Sequence, residues 1–248
     1  VPFTLGDIVK IYMDEMTSKE FGDWVADDKV VIFPIGAVEE HGAHLPLATD
    51  SIQPIELAEQ VARRTGSLVI PPLRYGNCSS TANFPGTISI RPETLKAIVM
   101  DILRELARHG IKNVLIVSGH AGRTHIAAIK NAAEDVVATE DIKVMALSDY
   151  DIVYKFRGMD EFPENDGHAG MIETSRVMAI RPDLVKEERK GDIPEFPQFM
   201  VLRDASRYFP TGAMGYPERA TPEIGKKLND FLVEEFVKLV DILKGTDA

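Results

Sequence analysis

Four short apolar runs, each closed by glycine, proline or serine, alternate with longer amphipathic stretches. No other feature of the chain constrains its fold as much. Lys29 to Ile35 (KVVIFPI) ends at Gly36, and Ser67 to Ile70 leads into Pro71-Pro72. Asn113 to Val117 runs into Ser118-Gly119-His120, and Ile142 to Leu147 precedes Ser148-Asp149. Runs of this length and composition predict buried strands of a parallel sheet. Helical patterns lie between and after them, over Ser51–Arg64, Arg91–His109, Thr124–Thr139 and Thr221–Lys244. Pro92 and Glu93 mark the start of the second and Gly110 its stop. Strands alternating with helices of this size imply an α/β fold, a mostly parallel central sheet with helices on both faces.

At roughly 150 residues per domain, 248 residues allow one or two domains. No repeat, linker or composition shift divides the chain, so a single domain over 1–248 is expected. Gly191 to Pro217 is the least regular stretch, a loop or an insertion that packs on a neighbouring subunit. For Phe162, Phe196, Phe199, Tyr208 and Phe209, core packing is the simplest expectation, with subunit contacts or closure of the cleft as the alternatives.

The formal net charge is −11. That balance argues against nucleic acid and against an anionic membrane surface, both of which need basic patches. No run approaches the ~18 apolar residues of a membrane span, and Val1 to Tyr12 lacks the pattern of a signal peptide. The single cysteine, Cys78, excludes an internal disulfide and fits a reducing, cytoplasmic setting.

Three segments carry chemistry. Pro34 to Asp50 follows the first strand and holds Glu39, Glu40, His41, His44 and Asp50. Carboxylates and imidazoles clustered on such a loop are what a divalent metal needs, though a solvated polar loop has the same composition. Val117 to His125 (VSGHAGRTH) again joins a strand to a helix, with His120 at the strand end. Asn165 to Ser175 (NDGHAGMIETS) offers His168 and Glu173, which a turn at Gly167–Gly170 opening a helix at Met171 would aim at one cleft; alternatively it is only a helix start capped by Asp166. Together they supply enough ligands for two metals, with Asp50 as the natural bridge and a bound water made nucleophilic.

These motifs resemble the creatininase family. Glu39 to Asp50 matches E-x-H-G-x-H-L-P-x-x-T-D nearly literally, and Gly119-His120, His168 to Ser175 and Phe84 to Ser89 (FPGTIS) match further motifs in order. The resemblance implies a three-layer α/β/α sandwich, commonly a homohexamer, with two divalent ions (zinc, manganese or iron) and a small-molecule substrate. It implies that Glu39, Asp50 and His120 hold one ion, and that His41 and Asp50 hold the other with one more carboxylate. In creatininase proper that carboxylate stands where this chain has Gly122, which leaves Glu173 as the candidate. His168 would be the catalytic proton shuttle.

Departures from the family narrow the substrate. His120-Ala121-Gly122-Arg123 replaces a common H-G-G-N, and Ser80 and Thr81 replace a Glu-His pair. Cys78, Ser79, Ala121 and Arg123 are the candidate substrate contacts. Arg123 is either a clamp for an anionic group or a solvent-facing side chain. Cys78 reads as pocket lining rather than a nucleophile, since no neighbour supplies positive charge. The one tryptophan, Trp24, lies far from His168, which argues against creatinine. The expected activity is hydrolysis of a carbon–nitrogen bond in a small cyclic amide or formamide. Cleavage of a carbon–carbon bond in a cyclic polyol diketone, or of a small peptide, is the alternative within enzymes. A non-catalytic metal- or sugar-binding subunit is the alternative outside them.

Overall fold

The computed structural model describes residues 10–26, 28–159 and 161–245. Most of the N-terminal stretch read for a signal peptide, residues 1–9, lies outside them, as do the two ends of the 1–248 domain.

The four predicted strands all form: β1 (Val30–Ile35), β2 (Leu68–Val69), β3 (Asn113–Ser118) and β4 (Lys143–Ser148). They make one parallel sheet in the order β2-β1-β3-β4, with Val31 opposite Leu68 and Val114, and Val114 opposite Val144. Pro34 stands in β1 although proline is confined to sheet margins. Its carbonyl accepts from Leu73 N. Its missing N–H therefore faces the side where β2 has already ended, and no ladder bond is lost.

The helices are α1 (Ser18–Trp24), α2 (Thr49–Thr65), α3 (Pro92–Arg108), α4 (Arg123–Val137), α5 (Tyr150–Val153), α6 (Met171–Ile180) and α7 (Pro222–Gly245). The period-2 pleat sends alternate strand residues to opposite faces. Val30, Ile32, Leu115 and Val117 pack against α2 and α7. Val31, Phe33, Ile35, Val114 and Ile116 pack against α3 and α4. Two apolar clusters, one on each face, make the three layers that the strand–helix alternation predicts. Among the described residues, no helix is long and apolar enough to cross a membrane.

Residues 191–217 are held mainly by turns and by a bridge between Asp192 and Met214. They pack on the chain's own polar cluster, with Phe209 6.4 Å from the His168 ring. The core expectation for the aromatic residues holds for Phe162 and Phe209, which are buried. It fails for Phe196 and Phe199, which are exposed because this segment covers the site from outside the layers.

Candidate active site

The carboxyl edge of the sheet gathers the polar residues, as expected for an open α/β sheet. The loop after β1 carries Glu39, Glu40 and His41, and the first turn of α2 holds Asp50. The end of β3 presents His120. A Cβ at Gly119 would lie 2.2 Å from the Asp50 carbonyl oxygen, so only glycine lets β3 close on α2 here. The turn before α6 brings His168, and the first turn of α6 brings Glu173.

Two imidazoles are oriented by backbone carbonyls. His120 Nε2 lies 3.0 Å from Asn77 O, and His41 Nδ1 lies 3.1 Å from Glu39 O. If each donates there, the other ring nitrogen keeps a lone pair. Those nitrogens face carboxylates. His120 Nδ1 is 2.9 Å from Glu39 Oε2 and 3.2 Å from Asp50 Oδ2. His41 Nε2 is 3.2 Å from Asp50 Oδ1 and 3.6 Å from Glu173 Oε2. Asp50 thus turns one oxygen to each histidine.

Burial disfavours charge on every one of these groups. The pairing outweighs it: Asp50 and Glu173 hold His41 well above its ordinary pKa, and Glu39 and Asp50 do the same for His120. The histidines in turn hold Glu39, Asp50 and Glu173 below the usual carboxylate range. Glu39 Oε2, His41 Nε2 and Asp50 Oδ2 are buried without a hydrogen-bond partner in the chain. Buried polar atoms are seldom left so, and several converging on one place fit a cation. One suitable group is His41, Asp50 and Glu173, and another is Glu39, Cys78 and His120.

Gly122 has a steric reason. A Cβ there would lie 2.5 Å from His120 Nε2, so no carboxylate fits at this position while His120 keeps its bond to Asn77. Glu173 is fixed instead by Tyr150 Oη at 2.7 Å, by Gln53 Nε2 at 3.2 Å and by Ala169 N at 2.7 Å. Ala169 adopts a left-handed φ of 52°, which aims that N–H at the carboxylate. Asp166 does cap α6, accepting from Met171 N and Ile172 N at 2.6 and 2.9 Å. The cap and the cleft residue are therefore both present in one segment.

His168 Nε2 lies 2.8 Å from Glu40 O and 3.3 Å from Glu40 Oε1, with its ring 4.3 Å from that of His41. Burial and the His41 charge lower its pKa, but Glu39 and Glu40 raise it above the ordinary value. A cavity of about 770 Å³ opens over the cluster, and Ser79, Ala121, Arg123 and His168 are on its wall. Cys78 is not on that wall. It is buried behind it, beside Glu39 and His120, and burial pushes its thiol far above the ordinary range.

Thr81, Gln53 and Tyr150 were not foreseen in these places. Thr81 donates to Glu39. Tyr150 follows the end of β4, and the strand-end rule that singles out His120 also reaches it; Gln53 carries no such signal.

A family model described as creatininase, creatinine amidohydrolase, matches residues 14–240. A creatinine amidohydrolase of Pseudomonas putida is 33% identical over 243 residues, covering 90% of this chain and 94% of that protein. A mycofactocin precursor peptide peptidase of Mycobacterium ulcerans is 27% identical, over 85% of this chain and 84% of its own. A solved structure titled creatininase Mn superposes with a TM-score of 0.84 at 30% identity, covering 93% and 97% of the two chains. With the whole sheet and the polar edge inside the family match, this chain belongs to the creatininase family and is a hydrolase of that family.

Proposed function

We propose that the chain is a dinuclear metal hydrolase acting on a carbon–nitrogen bond of a small cyclic amide or formamide. The carrying observation is the Asp50 carboxylate, with one oxygen turned to His41 and the other to His120. Glu39, Asp50 and His120 would hold one divalent ion, and His41, Asp50 and Glu173 the other. Zinc, manganese and iron all suit these ligands. Two bound ions supply Lewis acidity and an activated water.

The remaining work falls to the protein. The hydrogen bond to Glu40 fixes the His168 ring and leaves Nδ1 to exchange a proton with the substrate. As the carbon–nitrogen bond breaks, that proton goes to the leaving nitrogen. Gly212 abuts the Glu40 carboxylate and Phe209 lies beside the His168 ring, closing that side of the pair. Copies of the chain associate as a homo-oligomer, a hexamer by likeness to the family.

Metal content per chain, measured on protein purified without chelator, tests the ligand set. About two ions per chain are expected, falling to one or none in D50N and H41A. A full complement in either variant rejects the assignment. A turnover screen on the same samples, with a cyclic amide, a formamide and a cyclic diketone, tests the bond cleaved.

A further inference from the structure

We propose that the substrate carries an acidic group, carboxylate or phosphate, which Arg123 and Arg157 bind at the wall of the metal-site cavity. This rests on the hydrolase reading only in supposing that the cavity takes a substrate. Both arginines line the cavity. Six arginines pair with an aspartate or glutamate; of those that do not among the described residues, Arg123 and Arg157 are the two on the cavity wall. Among the described residues, neither Arg123 nor Arg157 lies within ion-pair distance of a carboxylate.

Each is set up to receive an anion. The Arg157 guanidinium carbon lies 3.3 Å from the centre of the Tyr154 ring, and its Nε is buried without a hydrogen-bond partner. Stacking on the ring and a side-chain hydrogen bond with Tyr154 fix the plane of the fork, and Asp166 lies near enough to feel its charge. Arg123 opens α4, a 15-residue helix with no side-chain cap and no acidic residue in its first turn. The first N–H groups of such a helix lack intrahelical partners, and its dipole favours negative charge. Gly122, Arg123 and Thr124 from this end all line the cavity, as do the hydroxyls of Ser79 and Ser80.

Charge balance points the same way. Three carboxylates, Glu39, Asp50 and Glu173, line the cavity. Two divalent ions with an activated hydroxide would just balance them, and the two guanidiniums add two positive charges. A neutral amide ring leaves this excess unmatched, whereas one acidic group offsets part of it.

Calorimetric titration of the zinc-loaded protein tests this with three probes: hydantoin-5-acetate, its neutral amide, and the matching phosphonate. At least one acid should bind about tenfold more tightly than the amide. That preference should fall below about threefold in R123Q/R157Q, while R123K retains most of it. Unchanged zinc content and circular dichroism guard against misfolding. Equal binding of acid and amide, or no binding of either acid, overturns the proposal. So does a preference that survives in the double variant, because the ions alone would then hold the charge. Acid-selective binding with no hydrolysis of any probe would instead count against the hydrolase reading and leave this one standing.

Discussion

Glu40 and His44 are the loop residues whose roles depend most on their partners. Glu40 holds His168 by both a carbonyl and a carboxylate oxygen. Replacing His168 by Gln should leave metal content unchanged and lower kcat by about 10²–10⁴-fold, the usual worth of a positioned acid or base. E40Q keeps the carbonyl contact and should lose less, with a shifted pH–rate profile. Loss of the ions in H168Q would mean the residue is a ligand instead. His44 Nε2 lies 2.9 Å from Thr174 Oγ1, and burial pushes its pKa down to about 4. Between about 4 and 6.5 the unfolded chain binds a proton at His44 that the native state refuses. Its contribution is therefore full above pH 6.5 and lost as pH falls toward 4, by up to about 3 kcal/mol. Asp166, pushed up to about 6 by burial, titrates over the same range with the opposite sign. The difference between wild type and H44Q in urea unfolding isolates His44. If that difference is constant from pH 7 to pH 4, the imidazole is not refused its proton.

Helices with end signals in the sequence were the most legible elements. The expected Arg91–His109 forms as Pro92–Arg108, because proline at the first position and glycine after the last fix both ends. α1 was not foreseen although Thr17 and Glu20 make a capping box. It has only seven residues, too few for an apolar period to register. The three chemical segments were legible because each follows a strand or opens a helix. Gln53 was not, because its link to Glu173 spans distant parts of the chain and leaves no local pattern, whereas Tyr150 was marked only by its place after β4. The turn into α6 adds a prediction. Ala169 is buried with positive φ, where glycine is tolerated and a β-branched side chain is not. A169G should stay within about 1 kcal/mol of wild type, and A169V should lose about 2 kcal/mol or more. Equal stability of the two variants would show that the turn relaxes freely.

Taken whole, the molecule shows two faces of the sheet sealed by helices and one edge given to chemistry. Beside that edge Phe199, Met200 and Val201 stand exposed in sequence, an uncommon grouping for a monomer surface. Sedimentation equilibrium should accordingly give a multiple of the chain mass, six by family likeness, and F199S/V201S should shift it toward the monomer. A wild-type monomer at micromolar concentration would refute the assembly.

The proposed ligands run from Glu39 to Glu173: Glu39, His41 and Asp50 come from the β1–α2 unit, His120 from the end of β3 and Glu173 from α6. A ribosome adds about 5–20 residues each second, so roughly 7–27 s separate the emergence of the first ligand from the last. Throughout that interval the nascent chain lacks Glu173, so one of the two proposed coordination spheres stays incomplete. An ion at that second site would therefore be selected only once α6 has been made and folded, by the finished shape rather than by order of encounter.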